Sequence, residues 1–468
     1  MNPQESVVLD YTLCDLYNLE NTSKEAIVLV YAYAPPVDIQ PTSSTPVLTK
    51  FPIQSPLCPI CDREELAKQL FHGTSQRFGF CSGPMRIAIF DLDHKQSSPV
   101  QPHHVDTYNV FNQISAQQRP HPQFIKNPAS LNLGANSRLA ITVPLDWISH
   151  LPHVTNPDVH YNLLSKRGLA LSGLPTPKTT VIDTRLTPNR PFTESEIHEE
   201  FRRMTQPIRE NTLPFILKVP RVASIGQGTF IIRTESERTA ANTVFQDTVG
   251  KMLRDLTPSN AHLNPCNVII QEMVEGETVG ITFFVTQFGR SIFNCCTRQE
   301  VDGSYCWSGG FVSYNEQPAL EERYREIINT VARLLHEHGY FGPAGIDVMT
   351  DDQGKQLVVD LNVRITGTYH LGPLRGHFAR RGFVEAAGLA NQRIRCTREA
   401  FEEVFRNELS EGSLLVTAWI HAGEWSLVTM TIAAKDMQLL RKLVQKVAEY
   451  KERCLSGGNE IVSRLSVL

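Results

Sequence analysis

Polar side chains recur at every second position of one otherwise apolar segment, and this pattern limits the fold more than any other. The segment runs from Val358 to Ile365, and Asp360, Asn362 and Arg364 alternate in it with valine, leucine and isoleucine. Successive residues of a β-strand point to opposite faces, so the three polar side chains share one face. Because an unpaired charge on a largely buried strand is costly, the pattern indicates a ligand site.

A second carboxylate precedes this segment. Asp347 lies in the apolar run Gly345–Val348, and the turn-forming residues Asp351–Gly354 separate that run from Gln356–Leu361. The spacing predicts a β-hairpin that brings Asp347 beside Asp360 and Asn362. Two carboxylates and an amide are hard oxygen donors, which suit Mg²⁺ that takes its other ligands from water and phosphate. The alternative, two solvated acids on an amphipathic hairpin, stays open from spacing alone.

A lysine and a glycine loop form a second unusual pair of features. Lys218 lies within the short apolar strand Phe215–Val219, where a lysine rarely remains unpaired. The loop Ala223–Phe230 follows and contains Gly226 and Gly228. Such a loop can place backbone N–H groups over phosphates, although an ordinary hairpin turn is the more common explanation.

From about residue 156 onward, predicted strands and helices alternate regularly. The predicted strands are Thr179–Ile182, Phe215–Val219, Val268–Glu272, Leu414–Ile420 and Leu427–Ile432. The predicted helices are Glu194–Met204, Glu235–Leu256, Leu320–Leu335 and Ala434–Tyr450.

The first third of the sequence is less regular. Its apolar runs Ala26–Tyr33, Arg86–Phe90 and Leu139–Val143 predict buried strands. The stretches Pro35–Pro59 and His94–Ser137 are rich in polar residues and proline, which predicts long loops. His103 and His104 lie in the second stretch, and we expect an exposed polar loop there rather than a metal site, because no further ligands occur at a helical spacing.

Composition excludes several classes of protein. The 468 residues carry a net charge of −4, which offers no basic excess for a nucleic-acid partner. The longest apolar run, Ala26–Ala34, is too short to cross a bilayer, and the N-terminus lacks the pattern of a secretory signal. The ten cysteines, Cys58 and Cys61 among them, predict reduced thiols in a cytoplasmic enzyme. The P-loop, dinucleotide-binding, zinc-protease and serine-esterase motifs do not occur.

The order of these features resembles that of the ATP-grasp superfamily. In that family a lysine near Gly-x-Pro-x-Pro precedes a strand lysine, a glycine loop, a hinge ending in Glu-Gly, and Asp followed by Asp/Glu-x-Asn-x-Arg. The corresponding elements here are Lys166, Gly173–Pro177, Lys218, Ser224–Phe230, Gln271–Gly276, Asp347, Asp360, Asn362 and Arg364. The resemblance covers about Asn156–Gly372 and is greatest to the peptide and amino-acid ligases of the superfamily.

The resemblance implies a role for each matched position. Lys166 and Lys218 would contact the ATP phosphates, and Gly226 and Gly228 would close over them. The hinge would hold adenine through its backbone at Gln271, Glu272, Met273 and Val274. Glu277 would bind the ribose, although the commonest offset in the family falls on Thr278.

The metal ligands implied by the resemblance are Asp347, Asp360 and Asn362. They would hold Mg²⁺, with two ions expected and Mn²⁺ as a substitute, and Asp360 stands where the family more often has the longer Glu. Arg364 would face the γ-phosphate and an acyl phosphate, and Arg298 is the candidate to grip a substrate carboxylate. Further candidates for substrate recognition are Trp307, Gly309, Gly310, Tyr314, His370 and Arg375.

The implied fold is an α+β ATP-grasp fold preceded by a smaller α/β N-terminal domain of the pre-ATP-grasp type. We expect residues 1–160 to form the N-terminal domain with long irregular loops, 171–277 the lid lobe, 278–395 the metal-binding lobe, and 396–468 a C-terminal α+β unit.

The implied activity is ATP-dependent joining of a small carboxylic acid to an amine, such as an amino acid or peptide, through an acyl phosphate. A thiol acceptor, simple phosphoryl transfer and a nucleotide-binding protein without catalysis are the alternatives. A role in specialised metabolism fits the resemblance, and the sequence leaves a homodimer open.

Overall fold

The computed structural model describes residues 6–21, 24–32, 50–52, 64–91, 101–220, 228–301 and 307–456. Among these residues the helices are α1 (Leu13–Asn18), α2 (Glu64–Gly79), α3 (Pro102–Phe111), α4 (Pro157–Leu163), α5 (Lys166–Ala170), α6 (Glu194–Glu210), α7 (Glu235–Arg254), α8 (Gln317–Glu337), α9 (Arg375–Ala379), α10 (Arg398–Val404), α11 (Arg406–Glu411) and α12 (Met437–Ser456). The strands are β1 (Ala26–Val30), β2 (Arg86–Phe90), β3 (His121–Ile125), β4 (Ser137–Ile141), β5 (Thr179–Asp183), β6 (Phe215–Lys218), β7 (Thr229–Ile232), β8 (Asn267–Glu272), β9 (Glu277–Val285), β10 (Ser291–Val301), β11 (Trp307–Ser313), β12 (Gly342–Thr350), β13 (Gln356–Asn362), β14 (Glu385–Ile394), β15 (Leu414–Ala422) and β16 (Trp425–Ala434). The pair Cys58 and Cys61 lies outside the described residues.

A parallel sheet forms the N-terminal part of the molecule. Its strand order is β3-β2-β1-β4, and every pairing within it is parallel. Strands β1, β2 and β4 coincide with the three apolar runs of the first third, because side chains such as Leu29, Ile87 and Leu139 are fully buried. This arrangement confirms the predicted N-terminal α/β domain.

The stretch His94–Ser137 is not the exposed loop that its composition predicts. Its described part contains α3 and β3, and Pro102 stands in the first turn of α3. His103 and His104 are buried with relative exposures of 6% and 8%. The expectation of exposed histidines was therefore wrong, since both side chains bond to Asp91, which follows β2.

A smaller antiparallel sheet comes next along the chain. Its order is β5-β8-β6-β7, and α6 and α7 pack together beside it. Both helices begin at capping boxes, with Thr193 and Glu196 on α6 and Thr234 and Glu237 on α7. These local start sequences explain why the first residue of each helix was predictable, whereas α6 extends six residues beyond its predicted end at Met204.

The largest sheet has eight strands in the order β13-β12-β9-β10-β11-β14-β16-β15. Helix α8 covers one face of its first four strands with an apolar surface that includes Tyr324, Ile328 and Val331. The C-terminal strands β15 and β16 continue the same sheet through β14, and α12 packs beside them. The sheet therefore crosses the boundary at residue 395 that we expected between two units.

No helix of the described residues is both long and apolar enough to span a lipid bilayer.

Candidate active site

Two carboxylates lie side by side at the edge of the large sheet. Strands β12 and β13 form the predicted hairpin, and Asp347 pairs directly with Asp360 across it. Residues directly opposite each other in an antiparallel pair have side chains on the same face. This face is opposite to α8, because the neighbouring residues Ile346, Val348 and Leu361 pack in the cluster that α8 covers.

A β-bulge positions the polar side chains of β13. Asp347 pairs with Asp360 and Val348 pairs with Val358, so Val359 is an extra residue in β13. The bulge turns Val358 toward α8 and leaves Asp360, Asn362 and Arg364 on the opposite face. The Nη2 of Arg364 donates to the Oδ1 of Asn362 at 3.0 Å, so the last two side chains are in contact.

Lys166 reaches this face from outside the sheet. It lies in the first turn of α5, where Ser165 caps the helix by accepting from the amide of Gly168. The Nζ of Lys166 donates to the Oδ1 of Asp360, and its backbone amide donates to the carbonyl of Pro220 at 2.8 Å. One residue thus links the carboxylates with the loop that follows β6.

Lys218 approaches the same strand from the smaller sheet. It ends β6, has a relative exposure of 6%, and donates from Nζ to the carbonyl of Val359 at 2.9 Å. That carbonyl belongs to the bulged residue. The ammonium of Lys218 is thereby held beside the carboxylate face by a backbone carbonyl.

The charges of the site act on one another. Burial and, to a lesser extent, the nearby charge of Lys166 lower the pKa of Lys218, Asp360 and Asp347 oppose them, and the resulting pKa is about 8. For Asp360, burial raises the pKa, but the positive charges of Lys166, Lys218 and Arg364 outweigh it and hold the pKa below its usual value. Asp360 is therefore ionised at neutral pH and available as an oxygen ligand.

The predicted adenine hinge joins the two sheets. Gln271 and Glu272 end β8, and Met273 and Val274 lead toward β9. The side chain of Gln271 is buried and donates to the Oγ1 of Thr179, while the amide of Glu272 donates to the carbonyl of Lys178. The Gln271–Val274 segment is thus fixed at the junction between the smaller sheet and the site.

The structure does not bring Glu277 to the carboxylate face. Glu277 lies on the same face of β9 as Val279, whose side chain packs toward α8. The carboxylate of Glu277 lies 3.9 Å from Arg323 of that helix. Thr278 and Gly280 have the opposite orientation, and Gly280 pairs directly with Asp347. Thr278 therefore lies on the carboxylate face, at the offset most common in the resembling family.

Arg298, the residue predicted to grip a substrate carboxylate, also lies away from Asp347 and Asp360. It pairs with Val279, and the neighbouring Cys296 packs in the cluster beneath α8. The Nη2 of Arg298 donates to Glu316, directly before α8, and its side chain is 67% exposed. The residue of β10 on the carboxylate face is Thr297, which pairs with Gly280.

The predicted phosphate loop is described only in part. Gly226 lies outside the described residues, whereas Gly228 has a left-handed backbone with φ of +84°. Its carbonyl accepts the amide of Val219 at 2.8 Å, which closes the ladder between β6 and β7. Glycine suits this position because L side chains are strained at such a φ.

Two of the residues expected to recognise substrate, His370 and Tyr314, make hydrogen bonds within the protein. His370 is fully buried, its Nε2 lies 2.8 Å from the Oγ1 of Thr431, and burial lowers its pKa to about 3. The hydroxyl of Tyr314 donates to the carbonyl of Leu371. These two side chains therefore fix the segment that follows Arg364 rather than facing a ligand.

A buried hydroxyl in that segment was missed by sequence reasoning. Thr366 packs so closely over Gly345 that a Cβ there would lie 2.5 Å from its Cγ2, and Gly345 pairs with Asn362. Within the described residues the Oγ1 of Thr366 is buried and has no hydrogen-bond partner. The glycine in Gly345-Ile-Asp347 was the available indication that another segment packs closely here.

The donor set of this face fits Mg²⁺. Asp347, Asp360 and Asn362 offer carboxylate and amide oxygens and no soft donor, and they lie at the edge of a sheet where waters and phosphates can complete the coordination. Lys166, Lys218 and Arg364 surround them with three positive charges, which suits a polyanionic ligand.

Comparison with known proteins identifies the fold. Residues 199–368 match the family model described as ATP-grasp domain. No curated protein matches the chain. An ADP complex of N5-carboxyaminoimidazole ribonucleotide synthetase is 10% identical with a TM-score of 0.51, covering 92% of this chain and 98% of that one.

Two further solved structures carry related names. The N5-carboxyaminoimidazole ribonucleotide synthetase of Thermus thermophilus is 12% identical with a TM-score of 0.48, covering 81% of this chain and 96% of that one. The N5-carboxyaminoimidazole synthetase of Staphylococcus aureus, complexed with ADP, is 10% identical with a TM-score of 0.48, covering 91% and 97%.

Proposed function

We propose that this chain, whose residues 199–368 match the ATP-grasp domain, is an ATP-grasp enzyme that uses Mg²⁺ and ATP to join a small carboxylic acid to an amine. ATP and Mg²⁺ are the cofactors of this superfamily, and we infer that the carboxylate face would hold them. The bond formed would be an amide or peptide bond, and the products would include ADP and phosphate.

One observation carries this proposal. The paired carboxylates of Asp347 and Asp360 are approached by cations from separate elements: Lys166 from α5 and Lys218 from β6. A protein that only bound a nucleotide would not need two metal-ligating carboxylates and a neighbouring arginine on one face. The arrangement supports phosphoryl transfer rather than simple retention of a nucleotide.

Each residue of the face would have a separate task. Asp347, Asp360 and Asn362 would hold Mg²⁺, which, when bound, neutralises phosphate charge during transfer. Lys166 and Lys218 would bind phosphate oxygens, and Lys166 would leave its ion pair with Asp360 to do so. Gln271–Val274 would hold the adenine ring at the junction between the two sheets.

Arg364 and Thr366 would position the substrate carboxylate. Arg364 contacts Asn362, and Thr366 packs over Gly345 beside it, so both lie at one end of the carboxylate pair. A carboxylate bound there would attack the γ-phosphorus in line, and the acyl phosphate formed would be open to displacement by the amine. No enzyme nucleophile is required for either step.

The partners follow from this chemistry. We expect a small carboxylic acid and an amine, with an amino acid or peptide as the amine, and no nucleic acid. The homodimer that the sequence leaves open, the cytoplasmic location and a role in specialised metabolism stay predictions.

The test is to trap the activated acid. The enzyme is incubated with Mg²⁺, ATP, hydroxylamine and a panel of carboxylic acids that includes bicarbonate and amino acids, and hydroxamates are detected by mass spectrometry. We expect ADP and a hydroxamate with the correct acid, and an amide when a matching amine replaces hydroxylamine. ADP release with an acid but without any hydroxamate or amide would contradict the ligase and favour simple phosphoryl transfer.

A thiol acceptor is distinguished in the same assay. If a thioester but no amide forms when a thiol and an amine are supplied together, the acceptor assignment is wrong while the ATP-dependent activation stands.

A further inference from the structure

A buried group of metal-ligating side chains lies in the N-terminal domain, in an element separate from the proposed ATP site. Asp91 directly follows β2, and His103 and His104 stand in the first turn of α3. The Nε2 atoms of both histidines lie 2.9 Å from the same oxygen, Oδ1 of Asp91. All three ligand atoms lie within 4.8 Å of one another.

The burial of this group makes a structural role alone an unsatisfactory explanation. Asp91 has a relative exposure of 2%. Within the described part of the chain, its ion pairs are with histidines and not with lysine or arginine. A buried carboxylate without a permanent cation is costly, and a bound dication would compensate it.

A third histidine completes the surroundings. The ring of His72, on α2, stacks on that of His103 with centroids 3.8 Å apart and planes at 5°. His72 has a relative exposure of 6%, and among the described residues its Nε2 has no hydrogen-bond partner. The Oε1 of Gln101, which precedes α3, is likewise buried and without a described partner. Such atoms are those that a metal-bound water would satisfy.

We propose that Asp91, His103 and His104 bind one Zn²⁺ ion, or a transition-metal dication of similar ligand preference. Two imidazole nitrogens and one carboxylate oxygen form a ligand set that suits zinc and differs from the all-oxygen set of the proposed Mg²⁺ site. Three protein ligands leave the fourth position to a water molecule, to which His72 would hydrogen-bond without contacting the metal itself.

The position and orientation of the ligands support this assignment. The group lies at the carboxyl end of β2, and ligand sites of parallel sheets occur at the carboxyl ends of their strands. The ring of Phe124 stacks on His104 at 3.6 Å and holds its orientation.

The test measures zinc in the full-length protein, purified without a histidine tag. After exposure to excess Zn²⁺ and gel filtration, elemental analysis should find about one Zn²⁺ per chain in the wild type and at least tenfold less when His103→Gln and His104→Gln are combined. His262→Gln is the matched control, because His262 also lies 2.9 Å from an aspartate, Asp158, but on the surface. Equal zinc in the double variant and the wild type would overturn the proposal.

Wild-type measurements keep the proposal testable if the double variant fails to fold. The wild type should remove Zn²⁺ from a chromogenic chelator, and with Co²⁺ it should show the intense visible absorption of a four-coordinate site. Failure to compete with the chelator would overturn the proposal. His72→Phe retains a stacking ring and should weaken zinc binding by about 10- to 100-fold, whereas unchanged affinity would overturn the hydrogen bond assigned to His72.

One variant separates this site from the proposed ATP site. Asp360→Asn removes a proposed Mg²⁺ ligand and should leave the zinc content unchanged. Loss of zinc in that variant would overturn the assignment of zinc to the N-terminal group.

Discussion

Lys166 and Asp360 form an ion pair between residues 194 positions apart in the chain. The pair places an ammonium group on a carboxylate that we propose as a Mg²⁺ ligand. We therefore expect the lysine and the metal ion to compete for Asp360 until ATP draws the lysine to its phosphates.

Replacing this lysine should strengthen metal binding in the absence of nucleotide. Lys166→Met removes the competing charge, so Mn²⁺, used as a paramagnetic probe, should bind roughly five- to tenfold more tightly, which corresponds to about 1–1.4 kcal/mol. The same variant should have a higher KM for ATP. Electron paramagnetic resonance titration measures the Mn²⁺ affinity, with Lys251→Met on the exposed surface of α7 as the control. Unchanged or weaker Mn²⁺ binding would exclude the competition.

The pKa of Lys218 predicts a pH dependence of catalysis. Because the free enzyme holds this pKa at about 8, kcat/KM for ATP should fall as the pH rises above that value and the lysine loses its charge. Lys218→Arg keeps the charge at every accessible pH, so its profile should lack the fall. An identical fall in both enzymes would mean that another group titrates.

The same shift predicts a change in stability of defined sign. Between about pH 8 and 10.5 the unfolded chain keeps the proton that native Lys218 has lost, so the unfolded state binds more protons. The free energy of unfolding of the wild type should therefore rise with pH over this interval relative to that of Lys218→Met. Urea denaturation of both proteins across the interval measures the difference, and a constant difference would refute the lowered pKa.

Two arginines should differ in their importance for the acid substrate. Arg298→Ala should change the KM for the acid by less than about twofold, because Arg298 pairs with Glu316 on the α8 side of the sheet. Arg364→Ala should lower kcat/KM by about 100-fold or more, since it removes a charge next to the metal ligands. Steady-state kinetics with the identified acid compares them. A large effect of Arg298→Ala and none of Arg364→Ala would mean that the acid binds on the α8 side of the sheet.

The proposed phosphate loop predicts a selective effect at Gly228. Gly228 and Gly354 have left-handed backbones with φ of +84° and +79°, so alanine at either position should destabilise the fold by about 1 kcal/mol. Only Gly228→Ala should also raise the KM for ATP, because Gly354 lies in the turn between β12 and β13, away from the phosphates. Equal KM values in the two variants would argue against contact between this loop and ATP.

The hairpin was predictable because neighbouring residues in the sequence determine both its strand faces and its turn. Alternation from Val358 to Ile365 defines the faces of β13, and the side chain of Asp351 accepts the amides of Gln353 and Lys355 in the turn. The bulge at Val359 was not predictable, since Val358 and Val359 are chemically alike and only packing against α8 distinguishes them. The carbonyl that Lys218 binds belongs to the extra residue of this bulge, Val359.

The strand face of Arg298 and the burial of His103 and His104 depend on contacts between residues distant in sequence. Which face of β10 carries Arg298 is set by its register with β9, and the polar run Thr297–Glu300 has no alternation that fixes this register. The burial of His103 and His104 depends on Asp91 and on the rings of His72 and Phe124, which lie on other elements. No periodicity within residues 94–137 indicates these partners.

ADP formation in three variants of the β12–β13 hairpin tests the central claim most directly. Asp360→Asn and Asn362→Ala each remove an oxygen ligand from the proposed Mg²⁺ site, while Asp352→Asn changes an exposed carboxylate in the turn of the same hairpin. With Mg²⁺, ATP, the acid and the amine, we expect ADP formation to be lost in the first two variants and unchanged in Asp352→Asn, with all three folded by circular dichroism. Near wild-type ADP formation in Asp360→Asn or Asn362→Ala would contradict the account.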